Sequence, residues 1–155
     1  MSKRVNVVET DVVKLHQSSQ PVDMDNIGLV HGLYDMLIDA YKKLDGKLQG
    51  LAAIQVGMKY NAILLRFKRG EEPTVVYNPK VNFKFGVKLS NEGCMSEGNK
   101  RYLVKRPVLI HATYYTVANE KKSCWMTYKK ARIFMHEYDH LFGILLQDHG
   151  IVVEG

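Results

Sequence analysis

At 155 residues with 46% apolar content, the chain is long enough to bury a proper core and short enough to form one domain, expected to span residues 1–155. It has no uninterrupted apolar run of about 18 residues, so no transmembrane helix is expected. The formal charge of +6 invites a nucleic-acid or ribosome partner. Its basic residues come in short clusters, Lys42-Lys43, Lys121-Lys122 and Lys129-Lys130, with no RNA-binding signature beside them. No membrane and no specific nucleic-acid sequence is therefore expected as a partner, while the ribosome surface stays open as a contact. The segment Met1-Ser2-Lys3-Arg4-Val5-Asn6 lacks the apolar stretch of a secretory signal. Cytoplasm is the expected location, and there Cys94 and Cys124 are thiols rather than a disulfide.

Residues 1–22 read as irregular, with Pro21 shortly before a helical pattern. Ile27, Val30, Leu33, Tyr34, Leu37, Tyr41 and Leu44 recur at three- and four-residue intervals, which predicts a long amphipathic helix over 23–44. Asp23 or Asp25 is the expected cap and Gly46 the stop, with Gly28 and Gly32 weakening the helix locally. Strands follow at 62–67, at 74–77 up to a stop at Asn78-Pro79, and at 81–85, where apolar and polar side chains alternate. Pro107 precedes a further strand at 108–115, and Asn119-Glu120 turns the chain into a last one around Trp125. A second helix is expected from about residue 128 to 141, ending at Gly143. Strands enclosed between two helices indicate an α+β fold rather than a doubly wound parallel one.

The chemistry is concentrated in His136-Glu137-Tyr138-Asp139-His140. Four positions apart on a helix, His136 and His140 can offer two imidazoles to one metal ion, with Glu137 beside them to handle a proton. A catalytic site needs a third protein ligand and an open position for water, and Cys94 is the candidate third ligand. This points to a metal-dependent hydrolase. Taken alone, each motif has a plainer reading: a surface helix with solvated histidines, a buried thiol in Glu92-Gly93-Cys94-Met95-Ser96, or a tightly packed loop or strand in Gly50-Leu51-Ala52-Ala53-Ile54-Gln55.

In this order, the three segments resemble the peptide deformylase family, whose motifs read approximately G-x-G-L-A-A-x-Q, E-G-C-x-S and Q-H-E-x-D-H. The likeness extends to the helix before the first motif, to Asn78-Pro79, Arg106-Pro107 and Leu141-x-Gly143, and covers roughly residues 23–148. It implies an enzyme of protein biosynthesis and N-terminal processing that removes the formyl group from N-formylmethionine on nascent peptides. It implies Cys94, His136 and His140 as metal ligands and Glu137 as the group that takes and returns a proton. The Gln55 amide and the Met95 backbone N–H would face the developing oxyanion. It further implies that Gly50 and Gly93 bond the substrate main chain and that Arg101 lies near its downstream residues. The fold it implies is a set of mixed, mainly antiparallel sheets packed around the C-terminal helix, with a long N-terminal helix. A thiolate with two imidazoles suits either Fe2+ or Zn2+; the resemblance favours iron in the cell and zinc in isolated protein.

The sequence departs from that pattern at Leu48, Ile54 and Met135, and in the pocket for the methionine side chain. Residues three and four before His136 help line that pocket, and here they are Ile133 and Arg132. Gln49 and Ser90 also stand where aliphatic residues are usual. Arg132 must turn outward, find an acidic partner or narrow the pocket, because burying it unpaired is costly. These changes keep a second reading open: a deformylase-like protein with altered or lost turnover that binds modified peptide N-termini. A generic H-E-x-x-H protease would need its third ligand after His140, where only His149 and Glu154 offer one. Glu92 and Arg106 are expected to pair. Asp139 is either an anchor for a metal ligand or part of a helix-surface salt bridge. His111 reads as packing or surface, and His16, His31 and His149 receive no role.

Overall fold

The computed structural model describes residues 7–44, 46 and 48–154, the last by its backbone alone. The first six residues of the segment read as irregular lie outside the described residues. The remainder is partly ordered by a one-turn helix, α1 (Val12–Leu15), capped by the Asp11 carboxylate on Val13 N–H at 2.9 Å. The long helix α2 (Ile27–Lys43) starts later than the expected 23. Asp23 accepts the N–H of Asp25 at 3.0 Å in a local turn, and Asn26 is the cap, taking Leu29 N–H at 3.1 Å. At the far end Gly46, at φ +60, closes its N–H on Tyr41 O at 2.9 Å, as a stop should.

Two antiparallel sheets follow. The larger has the order β1 (Gly50–Ala52), β2 (Ala62–Leu65), β3 (Thr74–Phe85), β6 (Leu109–Tyr115), β7 (Lys121–Thr127). The smaller has the order β4 (Lys88–Gly93), β5 (Arg101–Arg106), β8 (Ile151–Glu154). Helix α3 (Tyr128–His140) and a one-turn α4 (Leu146–His149) complete the chain.

Asn78-Pro79 does not end a strand. β3 runs through it as a bulge, with Asn78 at φ +49 and the register slipping between Tyr77 and Lys80. The freed Asn78 amide bonds both backbone groups of Val22, Oδ1 to N–H at 2.8 Å and Nδ2 to O at 2.9 Å, pinning the segment before α2 to the sheet. The strand expected over 62–67 stops at Leu65.

The unbroken apolar run of β2 has a simple cause: both of its faces are covered. Ile63 and Leu65 share a core with Phe134 and Met135 of α3, while Ala62 and Leu64 share the other with Leu33 and Leu37 of α2. The large sheet is thus held between the two long helices, and α3 carries its histidines along the sheet toward β5 and the end of β4. Among the described residues no helix is long and apolar enough to cross a membrane.

Candidate metal centre

Three separate elements bring the motif residues together. Cys94 follows β4 at the start of a 3-10 turn, Met95–Glu97; Gln55 sits in a 3-10 turn after β1; and α3 supplies His136, Glu137 and His140. The candidate ligand atoms of Cys94, His136 and His140 all lie within 4.8 Å of one another, with Cys94 Sγ 3.6 Å from His140 Nε2. His136 Nδ1–H donates to Glu92 Oε1 at 2.9 Å, which fixes the tautomer and leaves Nε2 for the centre.

Glu92 is itself locked. Arg106 grips it bidentately, Nε to Oε2 at 2.9 Å and Nη2 to Oε1 at 2.8 Å, and reaches Asp139 Oδ2 through Nη1 at 2.7 Å. Burial alone would raise the Glu92 carboxyl, but the bonds from His136 and Arg106 hold it down to about 2. The expected Glu92–Arg106 pair is present. Asp139 joins it from α3, held by Arg106 rather than by a surface partner, with His149 Nε2 3.6 Å away.

The proton states suit a ligand set. Burial pushes His140 down to about 3, helped by His136 and Arg106, so its ring is held neutral. His136 is also desolvated, yet Cys94, Glu137 and Glu92 together carry it well above its ordinary value. A divalent cation would take the place of that proton. Burial raises Glu137 to about 7, with His136 opposing and Glu92 adding. Its Oε1 is buried and has no hydrogen-bond partner among the described residues, so it is left available beside the donors. One thiol and two imidazoles converging on one point, with an unpartnered carboxylate alongside, fit a single divalent transition metal with an open position.

Gln55, 2% exposed, is oriented by its own loop. Its Oε1 accepts Ala52 N–H at 2.9 Å, so Nε2 points at the centre, donating to Ser96 Oγ at 3.0 Å and Cys94 Sγ at 3.4 Å. Met95 opens its 3-10 turn, where an N–H has no partner within the turn. Ser96 positions the Gln55 amide, and its only sequence signal is its place in the Cys94 motif.

Gly50, Gly93, Arg101, Arg132 and Ile133 all border one cleft of ≈ 920 Å³ together with Cys94, His136 and Glu137. Arg101 is folded back on Asn91, bonding Oδ1 at 2.8 Å and O at 3.0 Å. Arg132 lies half-buried in the cleft wall and forms no ion pair among the described residues. Gln49 borders the cleft and Ser90 does not. A Cβ at Gly50 would stand 2.5 Å from Glu137 Oε2. Gly50→Ala is therefore expected to displace that carboxylate and cut kcat about tenfold or more while metal content is retained, since a misplacement of about 1 Å is that costly; kinetics beside metal analysis check it.

A Cys-His-His donor set that could hold a metal ion, with a buried carboxylate beside it and an open cleft on an α+β frame, matches the layout a metal-dependent hydrolase needs. Residues 4–153 match the family model described as polypeptide deformylase. The chain is 31% identical over 149 residues to a peptide deformylase of Finegoldia magna, covering 96% of this chain and 90% of that one. It is 34% identical over 151 residues to peptide deformylase 1B, chloroplastic/mitochondrial, of Arabidopsis thaliana, covering 93% of this chain and 53% of that protein. The crystal structure of a probable peptide deformylase from Synechococcus phage S-SSM7 matches at a TM-score of 0.82 and 31% identity, over 92% of this chain and 97% of that one. The chain belongs to the peptide deformylase family: it is a hydrolase that uses a divalent metal ion to remove the N-formyl group from nascent peptides. A binding protein that has lost turnover is not favoured.

Proposed function

We propose that Cys94, His136 and His140 hold the ion, Fe2+ in the cell, and that Glu137 is the catalytic base and acid. The observation that carries this is the convergence of the three donor atoms within 4.8 Å beside the unpartnered Glu137 carboxylate. When bound, the ion supplies Lewis-acid activation of water and of the formyl carbonyl. Glu137 takes the proton of the attacking water and returns one to the nitrogen of the leaving amine. Gln55 Nε2 and Met95 N–H receive the charge that develops on the carbonyl oxygen. The C–N bond breaks, giving formate and a free N-terminal amine. Gly50 and Gly93 present backbone to the peptide, and Arg101, Arg132 and Ile133 border its side chains. Residues 1–155 act as one catalytic domain in the cytoplasm, with the basic surface available to the ribosome.

Formate release from formyl-Met peptides by iron-loaded protein under anaerobic conditions tests this reading. Absence of formate at stoichiometric metal would overturn it. Arg132 gives a sharper expectation. An unpaired cation beside Ile133 disfavours a methionine side chain, so Arg132→Leu should raise kcat/KM for formyl-Met peptides about tenfold. Formyl-Ala peptides should gain nothing, and an unchanged formyl-Met to formyl-Ala ratio would count against the pocket assignment.

A further inference from the structure

The cleft shares Phe67, Lys68, Arg69 and Lys129 with a second depression of ≈ 550 Å³, walled by Trp125, Tyr128 and Lys130. The exposed charged side chains that line this track are all cationic, with Glu71 at its edge, where its Oε1 accepts the N–H of Phe67 at 3.4 Å. Lys68, Arg69, Lys100, Arg101, Lys129 and Arg132 border the cleft, and its carboxylates, Glu92 and Glu137, are both buried. Glu92 is already taken by Arg106 and His136. The second depression has no carboxylate in its lining. Among the described residues, Lys68, Arg69, Lys100, Lys129 and Arg132 form no ion pair, and Arg101 is bonded to the neutral Asn91. Trp125 and Tyr128 are 61% and 62% exposed, and Lys130 Nζ stands 5.8 Å from the Phe67 ring centroid. Cations of one sign along a cleft with apolar walls concentrate the opposite charge.

We propose that this track is an extended subsite that selects formylated peptides with acidic residues just downstream of the first. An apolar or aromatic side chain further along rests on Phe67, Trp125 and Tyr128. The inference rests on the cleft being the deformylation site. Single-stranded RNA would suit the same cations and rings. Continuity with the metal centre favours the peptide, because a substrate whose formyl group lies at Glu137 must leave through this cleft.

The test compares formyl-Met-Ala-Asp-Asp-Leu with formyl-Met-Ala-Lys-Lys-Leu on the metal-loaded protein. The acidic peptide should show a kcat/KM higher by about tenfold or more, carried by KM, and the ratio should fall toward unity as salt rises from about 0.05 to about 0.5 M. Trp125 is the chain's one tryptophan, so its fluorescence reports occupancy of the second depression without turnover. In metal-loaded Glu137→Gln protein the acidic peptide should shift that fluorescence and the basic one should not. The triple variant Lys68→Glu, Arg69→Glu, Lys129→Glu should lose the preference while keeping its metal content. Equal kcat/KM for the two peptides overturns the inference, as does a Trp125 signal that answers to an RNA oligonucleotide and not to the acidic peptide. If neither peptide releases formate while Trp125 still separates acidic from basic, the hydrolase reading fails and the charge selection stands.

Discussion

Glu137→Gln protein should bind its metal as the parent does and release formate about 10²- to 10⁴-fold more slowly. Glutamine keeps the shape that fits against Gly50, where there is no room for even one added carbon. It also leaves the thiol and both imidazoles in place, since Glu137 is not one of the three converging donors. What it removes is the one buried carboxylate beside them that can take a proton and give it back. Cys94→Ala should fail in the opposite way, losing metal first and activity as a consequence. A second signature is thermodynamic and is read on metal-free protein. Glu137 is raised from 4.5 to about 7 on folding, so its contribution to stability is complete below pH 4.5 and is lost as the pH rises through 7. Glutamine has no such loss, and the variant should gain stability relative to the parent above neutral pH. Near-normal kcat in Glu137→Gln would end the mechanism, whatever the metal content.

The parts of this molecule that were legible in the sequence are those where periodicity and burial agree. The stripe from Val30 to Tyr41 is buried in α2, and the last strand expected around Trp125 is β7. The three motifs converge because each lies at the end of a rigid element. The smaller sheet was not legible. β4 reads Lys88-Leu89-Ser90-Asn91-Glu92-Gly93, and its inward position is a charge, Glu92, rather than an apolar side chain. β5 ends in the same way on buried Arg106. Where a strand turns charged groups inward to serve a site, the usual hydrophobic pattern disappears. Asn78-Pro79 misled for a different reason: a proline with no N–H reads as a strand end, yet a bulge accommodates it while Asn78 holds Val22. Arg132 stands out in the sequence as a cation where an aliphatic residue is usual, but only the lysines and arginines that border the same cleft, scattered from residue 68 to residue 129, give that departure a direction.

Glu92→Ala should cost both the fold and the metal. The side chain is 1% exposed and is the shared acceptor for the Arg106 guanidinium and the His136 ring. Its loss leaves Arg106 with Asp139 as its remaining partner, at a cost of about 3–5 kcal/mol for a broken buried pair. For a chain of this length that is a fall in Tm of about 10 °C. His136 loses the bond that fixes its tautomer, and metal affinity should drop about 10- to 100-fold. The pH dependence separates this charge effect from mere loss of packing. Glu92 is depressed on folding from 4.5 to about 2, so its contribution is complete above pH 4.5 and disappears as the pH falls toward 2. The stability gap between parent and variant should therefore close in acid. Glu92→Gln, which keeps an acceptor oxygen but no charge, should recover part of the metal affinity and little of the stability. If Glu92→Ala binds metal as tightly as the parent while its Tm falls, the carboxylate serves only the fold, and the orientation of His136 must come from its helix alone.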